Sequence, residues 1–149
     1  MSPFVRVGFV AFASVVLLGA ARPSSMAPSN FTVPLSGQEE VNVAHPGGGT
    51  GDLQASGLVT LAVDPANKEV CYRFSVSTGA EPMMAHIHEG APLQNGPPVI
   101  ILFTGTGTSL SNCAPSTRSQ LNQIVADPSH YYVSLDTTQF PDGALRGQL

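Results

Sequence analysis

Three observations predict an all-β fold, an antiparallel two-sheet β-sandwich with one short helix. Short stretches in which apolar and polar residues alternate recur along the chain, as half-buried strands require. Turn sequences separate them, in a chain of 149 residues with 15 glycines and 13 prolines. Only one segment, 116–126, has apolar residues at helical spacing, namely Leu121, Ile124 and Val125. Seven to nine short strands are expected, with no repeat of fixed period.

The first 21 residues stand outside that fold. Met1 to Arg6 carries one positive charge, Val7 to Leu18 is uncharged and apolar or small, and Gly19, Ala20 and Ala21 follow. This is the pattern of a secretory signal peptide, with an apolar run too short for a comfortable membrane span. Cleavage after Ala21 or as late as Ala27 suits a small-residue rule, and an uncleaved single anchor is the alternative. Residues 22–30, rich in Pro, Ser and Ala, read as a disordered linker. The folded domain is expected over residues 31–149, in a protein that is secreted or periplasmic.

Phe31-Thr32-Val33-Pro34-Leu35 opens the domain as a strand, placed at a sheet edge because proline cannot donate to a ladder. Residues 36–52, containing Gly47-Gly48-Gly49 and His45, read as a long flexible loop. Glu39-Glu40 within it reads as a solvated charge pair. Residues 53–63 and 69–76 alternate on either side of Asp64-Pro65-Ala66-Asn67 and form a hairpin. Its second strand turns Val70, Tyr72, Phe74 and Val76 inward and Cys71, Arg73 and Ser75 outward. Ala85-His86-Ile87-His88-Glu89 is a strand ending at Gly90. Val99 to Phe103 is continuously apolar, as a strand buried on both faces would be. Residues 104–115 read as a loop holding Cys113, residues 116–126 as the helix, stopped by Asp127-Pro128. Tyr131 to Leu135 and Ala144 to Leu149 are the last strands, separated by the Phe140-Pro141-Asp142-Gly143 turn.

Removing residues 1–21 takes away Arg6 and leaves five basic residues against ten acidic ones, a charge of −5. So acidic a chain, with scattered cations, has no electrostatic footprint for nucleic acid. After signal cleavage nothing in it addresses a membrane. The two cysteines, Cys71 and Cys113, are expected to form one disulfide in an exported chain. The alternative, two thiolate ligands for a soft metal, lacks the short spacing of dedicated sites.

Four ordered motifs resemble the CHRD domain, named after chordin: His86-Ile87-His88-Glu89-Gly90, Asn95-Gly96-Pro97-Pro98-Val99, Tyr131-Tyr132-Val133, and Phe140-Pro141-Asp142-Gly143-Ala144-Leu145-Arg146-Gly147-Gln148-Leu149. Leu35-Ser36-Gly37-Gln38-Glu39-Glu40-Val41 is similar to that family's first strand and loop. The resemblance implies an extracellular or periplasmic β-sandwich, immunoglobulin-like or superoxide-dismutase-like, and no settled reaction. In chordin-type proteins the domain accompanies modules that bind secreted growth factors. The family's last long strand commonly reads Tyr-Tyr-Val-Asn-Val-His-Thr, so Asp136 stands here where histidine is usual.

The candidate site follows from strand geometry. Side chains two residues apart share a face, which puts Met84, His86 and His88 in one row. Imidazoles suit copper and zinc, and a thioether beside them suits copper. A further ligand could come from Asp136 or from His130 but not from both, and the resemblance to the CHRD family favours Asp136. His130, six residues away on the same strand, lies about 20 Å off at 3.3 Å per residue and cannot share an ion with it. His45 is a free candidate. In the competing reading His86 and His88 bond to the loop that follows them, Met84 packs, and Asp136 pairs locally, with Arg146 among the options. Arg146 itself reads as a structural ion pair or carbonyl clamp, with anion binding as the alternative.

The expected function is therefore a binding module for a copper or zinc ion. An extracellular protein or matrix partner, with structural histidines, is the alternative. An enzyme is not expected: no nucleophile elbow occurs. Dismutase-like chemistry, which needs four histidines on copper and a zinc beside it, is the minor alternative.

Overall fold

A computed structural model describes residues 25–42 and 47–149. The expected signal peptide and His45 lie outside the described residues. Eight strands are formed: β1 (Ser29–Ser36), β2 (Ser56–Asp64), β3 (Glu69–Ser77), β4 (Pro82–Glu89), β5 (Pro98–Thr104), β6 (Ser111–Pro115), β7 (Tyr131–Thr137) and β8 (Leu145–Gln148). One helix, α1 (Arg118–Ala126), and a turn of 3-10 helix at Pro128–His130 lie between β6 and β7.

The chain is all-β and antiparallel with one short helix, as its periodicities predict. The expected division into two sheets is not what the pairing gives. All eight strands join one sheet in the order β5-β4-β7-β8-β1-β2-β3-β6. Its two ends, β5 and β6, approach each other, so the sheet curls into a nearly closed barrel around one core. Alternation along a strand reports a buried face and an open face. It is silent on whether the strands belong to one curled sheet or two stacked ones.

Local chemistry explains the elements. The β2–β3 hairpin turns where Asp64 Oδ1 accepts from the Ala66 and Asn67 amides at 2.9 and 3.0 Å, an Asx turn. Lys68, at φ 61°, completes it. Helix α1 starts where the Thr117 hydroxyl accepts from the Gln120 amide at 3.2 Å, which satisfies a donor the helix cannot pair itself. Its Leu121 and Ile124 are fully buried in the core. That core takes Val33 and Leu35 from β1, Val59, Leu61 and Val63 from β2, and Val70, Tyr72 and Phe74 from β3. Ala85, Ile87, Val133, Leu135 and Leu145 close it from the other half of the sheet.

Three local expectations are corrected and a fourth is narrowed. Strand β1 lies between β2 and β8 in the sheet, although Pro34 suggested an edge. Its pairing with β8 is confined to Ser36 opposite Arg146, so no ladder bond is required of Pro34 on that side. Cys113 stands in a strand: β6 pairs with β3, Cys71 lies opposite Cys113, and the two form the disulfide. A stretch of small polar residues has weak strand propensity, and β6 exists through its pairing with β3. Strand β5 is not buried on both sides, since Ile101 is 59% exposed; β5 stands at one end of the strand order. The loop after β1 is tied down in its described parts, with the Gly51 amide on Gly37 O at 3.2 Å and the Asp52 amide on Ala144 O at 2.9 Å. The expected long loop is therefore anchored at both ends, and its residues 43–46 lie outside the described residues.

Candidate functional site

The barrel interior takes one face of β4, β7 and β8. The opposite face carries the histidines. Register sets Met84 opposite Asp136, His86 opposite Ser134 and His88 opposite Tyr132 across β4–β7, and Ser134 opposite Arg146 across β7–β8. The row predicted on β4 therefore exists and meets a second row on β7. Irregularities in the β4–β5 pairing occur on both sides of His86 and Ile87, between Ala85 and His86 and between Ile87 and His88. Such bulges re-aim side chains beside a site.

Every residue of β7 is buried, on both faces. On the outer face, Glu40 from the loop after β1 and Asn95 from loop 90–97 reach the β7 side chains. Loop 90–97 is clamped from β7 and β8. Arg146, 1% exposed, donates through Nη1 to Gln94 O at 2.9 Å and through Nη2 to Ala91 O at 3.0 Å. Gln148 Nε2 donates to Gly90 O at 2.9 Å, and the Tyr132 hydroxyl lies 3.2 Å from the Gly96 amide. The carbonyl clamp expected of Arg146 is what forms; its partner is the loop and not Asp136.

His88 joins both systems. Its Nδ1 lies 2.9 Å from Gly96 O, so Nδ1 carries the proton and Nε2 is left with a free lone pair. The ring stacks on Tyr132 at 4.8 Å between centroids and 16° between planes. The Arg146 guanidinium lies 3.4 Å over the same tyrosine ring, giving a cation–π contact that is worth more when desolvated. His86 meets His88 edge to face at 5.5 Å, and its Nδ1 is 3.9 Å from Asp136 Oδ2.

These groups line a cavity of about 280 Å³, shared by Met84, His86, His88 and Asp136 with Glu40, Asn95, Pro98, Tyr132, Ser134 and Asp142. All four predicted ligands thus share one cavity. His130 does not: it stands in the 3-10 turn, with Nδ1 2.7 Å from Asp127 Oδ2 at the surface.

Glu40 was not anticipated. It is 4% exposed, not solvated, and its Oε2 accepts from the Ser134 hydroxyl at 3.1 Å. The same hydroxyl is 3.4 Å from Asp136 Oδ1. Glycine at 143, with φ +123°, leaves the space the Glu40 carboxyl fills. The only signal in the sequence was its place in the Leu35 to Val41 motif, because loop residues show no periodicity from which burial can be read.

Burial disfavours the charged forms of Asp136, Glu40, His86 and His88. It pushes the Asp136 carboxyl up to about 7, helped by the charges of Glu40 and Asp142 and opposed by Ser134. Glu40 is raised for the same first reason, against the Ser134 bond and the Arg146 charge. His86 is lowered by burial and by His88, and His88 by burial and Arg146, against its bond to Gly96. A neutral imidazole can ligate a cation directly, and a carboxyl can do so by giving up its proton.

The donor types fit copper or zinc, but the His86, His88 and Asp136 donor atoms do not all lie within 4.8 Å of one another. Among the described residues, the only three His, Cys, Asp or Glu side chains with ligating atoms all within 4.8 Å of one another are Glu69, Cys71 and Cys113. Both sulfurs there are spent in the disulfide. The His86, His88 and Asp136 donors would have to draw together around an ion. At 3.9 Å the first and last are nearly there, since two ligands on one zinc stand roughly 3.4 Å apart at its usual bond lengths.

No curated protein and no solved structure gave a match. The family model of the CHRD domain matches residues 31–149, which contain both loops and all three site strands. The chain belongs to the CHRD domain family.

Proposed function

We propose that this chain is an exported binding module that takes a copper or zinc ion at His86 and His88, with Asp136 and Met84 beside them. The observation that carries the reading is the His88 Nδ1 contact with Gly96 O at 2.9 Å. A carbonyl on one ring nitrogen orients the other as a ligand, the arrangement metal-binding histidines usually have. His86, the same cavity and a buried carboxylate 3.9 Å away add to it. In a bound state the ion would lie between residues of β4 and β7. It would tie the loop 90–97 to the sheet through His88.

Purified protein titrated with copper and with zinc is expected to bind at least one of them stoichiometrically. The His86→Ala, His88→Ala double variant should lose that affinity by 100-fold or more. Absent binding, or binding unchanged in the variant, would sink the metal reading.

The second reading is an extracellular protein or matrix interaction domain in which the histidines are structural. It is favoured by the stack of His88, Tyr132 and Arg146, which supports the loop 90–97 with no ion. In that case the double variant loses stability, not metal affinity. Dismutase-like chemistry is less supported, because among the described residues two imidazoles line the cavity and a copper of that type takes four.

A further inference from the structure

We infer that Glu40, reaching over from the loop after β1, is a second carboxylate ligand of this site, making it a two-imidazole, two-carboxylate set selective for a divalent ion over copper(I). The inference rests on the metal reading above and names the ion class and a ligand that reading lacks.

The argument begins with position. Ser134 sits at the centre of the outer face, opposite His86 on one side and Arg146 on the other. The Glu40 carboxyl lies 3.1 Å from that serine's hydroxyl and the Asp136 carboxyl 3.4 Å from it. One hydroxyl has one proton, so it serves one of the two carboxyls at a time. Both carboxyls are thus brought to one serine in the wall of the cavity. The Arg146 guanidinium donates to Gln94 O and Ala91 O, and its charge favours the ionised form of Glu40 that a cation would bind. Glu40 also lines the cavity that holds Met84, His86, His88 and Asp136.

The placement of Glu40 is built, not incidental. A side chain at Gly143 would overlap its carboxyl group, and one at Gly51 would press on its Cβ at 3.0 Å. The Thr50 amide bonds to Glu40 O at 3.2 Å and the Glu40 amide to Gly37 O at 3.3 Å, so the backbone that carries it is held at both polar groups.

The consequence is chemical. Carboxylate oxygen is a hard donor that favours divalent ions, whereas copper(I) favours thioether and imidazole. Met84 and the histidines could serve copper(I) without Glu40; zinc would gain from it directly.

The test measures zinc and copper(I) affinity, the latter anaerobically by competition with a chelator, in the wild type, Glu40→Gln and Met84→Leu. Glu40→Gln is expected to weaken zinc at least tenfold and change copper(I) less than threefold. Met84→Leu should leave zinc within threefold. Zinc binding that survives Glu40→Gln unchanged, or an equal loss of both ions, overturns the role of Glu40 while leaving metal binding at the histidines intact. A wild type that binds neither ion overturns both. A second measurement does not depend on Glu40→Gln folding: on saturating the wild type with zinc, the infrared carboxylate bands of two groups should shift, and a shift of only one, or of none, overturns the inference.

Discussion

Asp136 and His86 face each other across 3.9 Å, yet burial drives both toward their neutral forms, the carboxyl up to about 7 and the imidazole down. In the metal-free protein they are neighbours more than an ion pair. The sign of the pH dependence follows. Asp136 holds its proton in the folded state well above its ordinary 3.8, so its stabilising contribution is full below about pH 4 and is lost as pH rises through about 7. The lowered histidines act the other way: their contribution is present above about 6.5 and falls away in acid. Asp136→Asn separates the two effects. Between pH 5 and pH 8 the metal-free wild type should lose roughly 5 °C or more in Tm relative to the variant. A constant difference between the two melting curves would contradict this.

At the scale of elements, the loop 90–97 and strand β8 form one unit that the chain separates by about fifty residues. Arg146 and Gln148 supply donors, and Gln94, Ala91 and Gly90 supply carbonyls. The glycines fit the same scheme, because a Cβ at Gly96 would strike the Glu89 carbonyl and one at Gly147 the Pro34 carbonyl. Lysine cannot reproduce a planar fork that binds two carbonyls while lying flat on a tyrosine ring. Arg146→Lys is therefore expected to cost about 2–4 kcal/mol, read as a lower urea midpoint at unchanged m. A midpoint equal to wild type would show that the clamp is dispensable. The Arg-Gly-Gln motif could be read in advance as structural, down to a carbonyl clamp. Which carbonyls it clamps could not, because a separation of about fifty residues leaves no local pattern.

For the molecule as a whole, the site and the disulfide lie in different parts of one sheet. Strands β4, β7 and β8 carry the cavity, and β3 and β6 carry Cys71 and Cys113, with β1 and β2 between them. The cross-link spans 42 residues, for which the chain-entropy model gives about 4 kcal/mol. It also secures β6, the terminal strand of the order and one with little apolar content. Replacing both cysteines by serine should lower unfolding free energy by about 2–4 kcal/mol in urea and leave metal affinity within twofold. A loss of metal binding in the still-folded variant would mean that the two halves of the sheet are coupled.

The sequence by itself determined the strand faces. Val70, Tyr72 and Phe74 turn inward, and Met84, His86 and His88 share a row, because a strand's period of two leaves no other choice. It also determined the hairpin at Asp64, the capped helix and the cysteine pair, each set by neighbouring residues or by there being only two cysteines to join. Only the tertiary structure decided that the strands curl into one sheet, that Cys113 lies in a strand, and that Glu40 is buried against Ser134 beside Asp136. Those outcomes depend on contacts between residues far apart in the chain. The histidine row was legible as a line on a strand; Glu40 from the loop after β1 and Asp136 from β7 make it a cavity with carboxylates.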